Sequence, residues 1–271
     1  MSITNNLKKV TAPSLSNMKE KGEKISVLTA YDYLMANMLD EAGIDVILVG
    51  DSLGMVVLGY ESTIPVTMEM MLHHVAAVKR GVSRALLVAD MPFLSYQNGV
   101  DNAVENSGRF LQESGAEAVK IEGGEIVAKT IEKIVKFGIP VMGHLGLTPQ
   151  SINQFGSYNV VGKQKKIAQQ LLNDARILEE AGVFSLVLEK VPSDLAKKIS
   201  ESIKIPTIGI GAGKYCDGQV LVSHDMLGIY DKFNPKFVRR YAELGKEIRT
   251  AFSKYIQDVK NNKFPTENES Y

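Results

Sequence analysis

Three stretches of the chain share one pattern: EAGIDVILVGD (41–51), ESGAEAVKIEG (113–123) and EAGVFSLVLEK (180–190). Each opens with a glutamate, a small residue and a glycine. An apolar run of strand length follows and stops on or beside a charged residue. VKRGVSRALLVAD (78–90) and VKFGIPVMGH (135–144) repeat the pattern more loosely. The physical reading is a helix closed by a glycine that accepts left-handed φ, a short loop, and then a strand. The runs are almost continuously apolar instead of alternating, which suits parallel strands covered on both faces.

The segments between these runs read as helices. In TMEMMLHHVAAVKR (67–80), Met68, Met71, Leu72 and Val75 fall on one face, and Thr67 is placed to cap the start. That methionine-rich stripe reads as core packing. His73 and His74 are adjacent, so they point in different directions and read as structural or exposed. SDLAKKISESI (193–203) starts on a serine cap, 235–259 reads as one long amphipathic helix, and a frayed polar tail covers about 260–271. Strands are expected at Ile25–Ala30, Val46–Gly50, Ala85–Ala89, Ala118–Ile121, Val141–Gly143, Ser185–Leu188, Thr207–Ile210 and Gln219–Ser223. This alternation predicts an α/β chain folded as a (β/α)8 TIM barrel, one domain over 1–271. A doubly wound open sheet would carry GxGxxG after an early strand. The only close candidate, GIGAGK (209–214), comes late and has the wrong spacing. One connection fits poorly: 211–218 is too short for a crossover helix, so either that helix is missing or a strand is misplaced.

Composition narrows the partners. The chain has 271 residues with 31 Lys plus Arg against 31 Asp plus Glu, a balance that argues against a nucleic-acid partner. No apolar stretch reaches the roughly 18 residues of a membrane helix, and MSITNNLKKV (1–10) lacks a signal-peptide core. The single cysteine, Cys216, cannot form an internal disulfide, and beside Asp217 it lacks the electropositive neighbours of a reactive thiol. A soluble cytoplasmic protein acting on small molecules, with neither nucleic acid nor membrane as partner, is expected.

In such a barrel the active site lies at the C-terminal ends of the strands. Reading off the polar residues there gives Tyr31 and Asp32, Asp51 and Ser52, Asp90, Lys120 and Glu122, His144, and Glu189 and Lys190. Taken singly, each has an ordinary explanation as a helix cap, a loop ion pair or a satisfied histidine. Lys120 and Glu122, two apart on one strand face, could simply pair. Taken together, four acids at the same relative position in four repeats would meet at one mouth, where unpaired like charges are costly. A hard cation relieves that cost. Mg²⁺ takes oxygen ligands, one or two carboxylates plus substrate oxygens and water, whereas zinc would call for a Cys/His set that is missing. The chemistry this predicts is metal-assisted carbonyl chemistry: a chelated 2-oxo acid with a polarised ketone, and a carboxylate that removes an adjacent C–H proton.

From TAYDY (29–33) to HDMLG (224–228) the chain resembles the ketopantoate hydroxymethyltransferases (3-methyl-2-oxobutanoate hydroxymethyltransferases). The resemblance rests on VGDSLGMVVLGY (49–60), ADMPF (89–93), VKIEGG (119–124), MGHLGLTPQS (142–151), LEKVP (188–192) and IGIGAGKYCDGQVLV (208–222). It departs at Lys190, where the family commonly has cysteine, and the adjacent Glu189 is kept. The resemblance implies transfer of a one-carbon unit from 5,10-methylenetetrahydrofolate to 3-methyl-2-oxobutanoate, giving 2-dehydropantoate on the way to pantothenate. It implies Asp51 and Asp90 as Mg²⁺ ligands, Glu122 completing the metal shell through water, and Glu189 as the general base. Ser52 and Lys120 would contact the substrate carboxylate and oxo group, with His144 near the transferred carbon. Asp51 and Asp90 would contact the substrate too. A large homo-oligomer, a decamer, is also implied. The nearest rival is a Mg²⁺-dependent lyase or mutase of the phosphoenolpyruvate mutase and isocitrate lyase type acting on a 2-oxo acid, which would call for a reactive cysteine on a mobile loop. A barrel that binds a metabolite without catalysis is the rival from another class, and it predicts that loss of Glu189 leaves function intact.

Overall fold

In a computed structural model, which describes residues 8–230 and 235–271, the chain divides into two compact units, Met1–Leu221 and Val222–Tyr271. The reading of residues 1–10 as lacking a leader falls mostly outside the described residues.

The first unit holds eight parallel strands: β1 (Ile25–Thr29), β2 (Val46–Val49), β3 (Leu86–Asp90), β4 (Ala118–Glu122), β5 (Val141–Gly146), β6 (Ser185–Glu189), β7 (Thr207–Ile210) and β8 (Gly218–Leu221). They pair in sequence order, and β8 closes on β1, forming a (β/α)8 barrel. All eight expected strands are present. The helices are α1 (Ala12–Glu20), α2 (Tyr33–Glu41), α3 (Leu53–Val56), α4 (Met68–Lys79), α5 (Val100–Arg109), α6 (Glu125–Lys136), α7 (Ile152–Phe155), α8 (Lys165–Glu180) and α9 (Ser193–Ser202). Between β7 and β8 there is no helix, which resolves the short connection: both strands are present and paired, and the crossover helix is missing.

The helix signals behave as their chemistry requires. Thr67 Oγ1 accepts from the Met70 N–H at 3.3 Å, and Met71, Leu72, Val75 and Val78 are buried under α4. His73 is exposed, and His74 Nδ1 lies 2.7 Å from the Tyr31 carbonyl, which fixes the proton on that nitrogen. Ser193 is not the cap of α9; Pro192 holds that position and no side chain caps it.

Period-two alternation sorts the strand side chains into two layers. Val27, Leu48, Val88, Met142, Val187, Ile208 and Val220 point into the barrel, and Val10, Ala12 and Leu15 from the α1 region join that inner core. Ile47, Leu87, Ile121, Leu186 and their neighbours point outward and pack under the helices.

In the second unit α10 (Ser223–Met226) is followed by α11 (Leu244–Lys260), which starts nine residues later than the amphipathic pattern implies. The backbone there is already committed: the Tyr241 N–H donates to Met226 O at 2.8 Å and the Leu244 N–H to Leu227 O at 3.0 Å. Residues 261–271 are exposed, with Thr266 capping a short turn over Glu267–Glu269.

Candidate active site

The same alternation that fills the barrel with apolar residues brings charge inward at its C-terminal end. In Ala118-Val119-Lys120-Ile121-Glu122, Lys120 and Glu122 share the inward face with Ala118. Strand register sets Asp90 level with Lys120, Glu122 level with His144, and Gly146 level with Glu189. Asp51 follows β2, and its N–H donates to Asp90 Oδ2 at 3.1 Å.

The result is an unbroken chain of polar groups. Lys120 Nζ lies 2.7 Å from Asp90 Oδ1 and 3.8 Å from Glu122 Oε1. His144 places Nδ1 3.3 Å from Glu122 Oε1 and Nε2 3.4 Å from Glu189 Oε2. Asp51, Asp90, Lys120, Glu122 and His144 are each at most 6% exposed, so this charge is held away from bulk water. Glu189 keeps some solvent contact, with its side chain 17% exposed.

Burial decides the electrostatics. It pushes the Asp51 carboxyl well above the usual range, and the nearby charges of Asp90 and Glu122 push the same way. Burial also raises Asp90, in spite of Lys120 beside it. Burial would raise Glu122 as well, but the hydrogen bond and charge of His144, with Lys120, outweigh it and leave this carboxyl below its ordinary value. Burial and Lys120 both work against a charged His144, yet its bonds to Glu122 and Glu189 raise its pKa to about 9. Lys120 is raised too, because three carboxylates outweigh its desolvation.

Ser52 lies beside this chain. It opens the short α3 but its hydroxyl caps nothing, and Oγ instead meets the Tyr31 hydroxyl at 2.8 Å. A Cβ on Gly50 would come within 2.7 Å of Ser52 Oγ and 3.3 Å of Asp90 Oδ2, so a glycine there leaves that corner open. Gly54 answers to packing: its missing Cβ would fall 2.7 Å from Val66 Cγ2. Two strand-end candidates lie elsewhere. Asp32 caps α2, accepting from the Met35 N–H at 2.9 Å. Lys190 bends away with φ +46°, and its Nζ sits 6.0 Å over the Tyr158 ring.

The donor set suits a hard cation. Asp51 and Asp90 are buried, adjacent and over-supplied with negative charge, and the site offers carboxylate oxygens instead of a Cys/His set. Among the described residues no group of three or more His, Cys, Asp or Glu gathers closely enough to cage a metal alone. Carboxylate oxygens are the ligand type that Mg²⁺ takes, whereas structural zinc takes Cys and His.

Two buried residues here escaped sequence reasoning. Gln150 Nε2 donates to Asp51 Oδ2 at 2.9 Å, and the Tyr96 hydroxyl lies 2.8 Å from Gln150 Oε1. Both sit on loops after strands, where no periodicity marks them.

The model of the ketopantoate hydroxymethyltransferase family matches residues 9–267. The chain belongs to that family. It is 58% identical over 271 residues to 3-methyl-2-oxobutanoate hydroxymethyltransferase of Syntrophus aciditrophicus, covering 100% of both chains. It is 60% identical over 263 residues to the protein of the same name from Carboxydothermus hydrogenoformans, covering 97% of this chain and 95% of that one. Among solved structures, 2,3-dimethylmalate lyase, a PEP mutase/isocitrate lyase superfamily member, superposes with a TM-score of 0.60 at 16% identity, covering 96% of this chain and 91% of the other. At that identity the likeness is one of fold.

Proposed function

We propose that this hydroxymethyltransferase moves a one-carbon unit from 5,10-methylenetetrahydrofolate to C3 of 3-methyl-2-oxobutanoate, forming 2-dehydropantoate for pantothenate synthesis. The observation that carries the reading is full-length identity of 58% to a protein named for this activity. The buried chain of acids at the barrel mouth supports it.

Asp51 and Asp90 would hold Mg²⁺ directly, with Glu122 completing its shell through water. A Mg²⁺ held there would supply Lewis-acid polarisation of the ketone of the oxo acid. Lys120 offsets the negative charge that grows on the keto oxygen as C3 loses its proton. Ser52 contacts the substrate carboxylate. Glu189, on a different strand from the metal-binding acids, takes the C3 proton as general base. His144, 3.4 Å from Glu189 Oε2, orients that carboxylate and lies near the transferred carbon. The lyase alternative has less support, because its loop cysteine has no counterpart: Cys216 is buried and burial raises its thiol pKa. The reading extends to a cytoplasmic enzyme assembled as a large homo-oligomer. Exposed Ile126 at the start of α6 and Phe137 just past its end supply apolar surface for assembly to cover, and sedimentation velocity measures its size.

The test is exchange of the C3 proton of 3-methyl-2-oxobutanoate with deuterated solvent, followed by NMR. The wild type with Mg²⁺ is expected to exchange it, EDTA to abolish exchange, and Glu189→Gln to lose it by at least about 100-fold while still binding the oxo acid. Exchange at the wild-type rate in Glu189→Gln would show that Glu189 is not the base, and activity unaffected by complete metal removal would rule out the chelate.

A further inference from the structure

Gln150 lies on the Pro149–Ser151 turn after β5, 99 residues from Asp51 in sequence, and is 5% exposed. A primary amide offers two N–H donors and an oxygen with two lone pairs. Here all four are used. Nε2 donates to Asp51 Oδ2 and to the Met91 carbonyl, both at 2.9 Å. Oε1 accepts from the Tyr96 hydroxyl at 2.8 Å, whose single proton also faces the Glu122 carbonyl at 3.1 Å, and from Gln97 Nε2 at 3.3 Å. Acceptors meet the nitrogen end and donors meet the oxygen end, so only one of the two amide orientations is compatible with the surroundings. The backbone N–H of the same residue donates to Glu122 Oε2 at 3.1 Å.

The oxygens of the three acids can then be followed one by one. Asp90 gives Oδ2 to the Asp51 N–H, and its Oδ1, which has no hydrogen bond among the described residues, forms an ion pair with Lys120 at 2.7 Å. Glu122 gives Oε2 to the Gln150 N–H and Oε1 to His144. Asp51 gives Oδ2 to the Gln150 amide, and no hydrogen bond falls on its Oδ1 among the described contacts.

We propose that Gln150, its amide locked by Tyr96, is a positioning residue that fixes the Asp51 carboxylate so that Oδ1 is presented to the bound cation and oxo acid. This rests on the metal-binding reading of Asp51 given above. An amide that only filled space would need no donor on the carboxylate, whereas this one holds two acids from different strands through side chain and backbone.

The experiment is Mn²⁺ titration by electron paramagnetic resonance on the full-length protein with saturating 3-methyl-2-oxobutanoate. Wild type, Gln150→Leu and Tyr96→Phe are compared, with thermal unfolding of the same samples. Gln150→Leu is expected to bind Mn²⁺ at least about tenfold more weakly, the order of one lost hydrogen bond to a charged group. Tyr96→Phe, which keeps the ring and frees the amide, is expected to bind a few-fold more weakly with its unfolding temperature within a few degrees of wild type. Unchanged Mn²⁺ affinity in folded Gln150→Leu overturns the proposal even if the unfolding temperature falls, since that is the signature of a purely structural residue. If Gln150→Leu does not fold, unchanged affinity in Tyr96→Phe overturns it. Absence of Mn²⁺ binding to the wild type removes the metal reading and this proposal together, a result distinct from either variant outcome.

Discussion

Asp225, in the second unit, is buried, and its Oδ1 has no hydrogen-bond partner among the described residues. Burial raises its pKa to about 6, against the opposing charge of Arg240. The sign of the effect on stability follows. The unfolded chain loses this proton near pH 4 and the folded chain near 6, so between them the folded state binds more protons. Asp225 therefore costs no stability below about pH 4, and the cost grows as pH rises to about 6 and is complete above it. Asp225→Asn is expected to raise stability at pH 7.5 by about 1 kcal/mol, discounted for the hydration the carboxyl keeps, and to give no gain at pH 4. Thermal unfolding at the two pH values measures the difference; an equal gain at both would exclude the charge as its cause. At this scale the sequence made strand-end charges visible because period-two alternation aims them inward, as with Lys120 and Glu122. Gln150 stayed invisible because only barrel closure carries a loop residue over Asp51.

Elements repeat the lesson with one residue type in two physical roles. Gly115 closes the helical segment Phe110–Ser114 that continues α5, with φ +75°, and a Cβ there would touch only the flexible Lys79 side chain, at 3.0 Å. Gly81 holds the equivalent place in a looser repeat without a positive φ; a Cβ on it would fall 2.6 Å from Tyr33 O and 2.9 Å from Asn37 N, both backbone atoms of α2. Alanine is expected to destabilise at both positions, by about 1 kcal/mol at Gly115 and about 2–3 kcal/mol at Gly81. Asparagine separates the causes, because it tolerates left-handed φ. Gly115→Asn is expected to recover part of the loss in urea unfolding, and Gly81→Asn to recover none. The repeat pattern thus located the helix ends correctly while giving one reason for two different constraints. The amphipathic reading of 235–259 misses the start of α11 for another reason: Phe237, Val238 and Tyr241 mimic an amphipathic face, but the backbone at Tyr241 and Leu244 already pairs with Met226 and Leu227.

Across the barrel unit, chemistry and stability sit at opposite ends of the strands. The C-terminal ends gather buried charge that an apolar core would exclude. The N-terminal end is closed by α1, whose Leu15 is fully buried among inward-facing strand residues. Lys19, in the last turn of α1, donates to the carbonyls of Ser200, Ile203 and Ile205 at 3.0, 3.1 and 2.8 Å. It also lies 3.1 Å from Asp217 Oδ2, whose carboxylate accepts from the Thr207 N–H at 2.8 Å. One ammonium therefore ties α1 to the end of α9, the start of β7 and the turn into β8, where the barrel lacks a crossover helix. Lys19→Met keeps the apolar stem and leaves a carboxylate and three carbonyls without their cation. The expected cost is about 3 kcal/mol, read as a lower urea midpoint with an unchanged slope. Because Lys19 is remote from Asp51 and Glu189 along the barrel axis, C3 proton exchange per folded molecule at 25 °C is expected to match the wild type. A variant that unfolded at the wild-type midpoint would mean that water replaces this ammonium without loss, and that apolar packing of Leu15 alone holds the barrel floor.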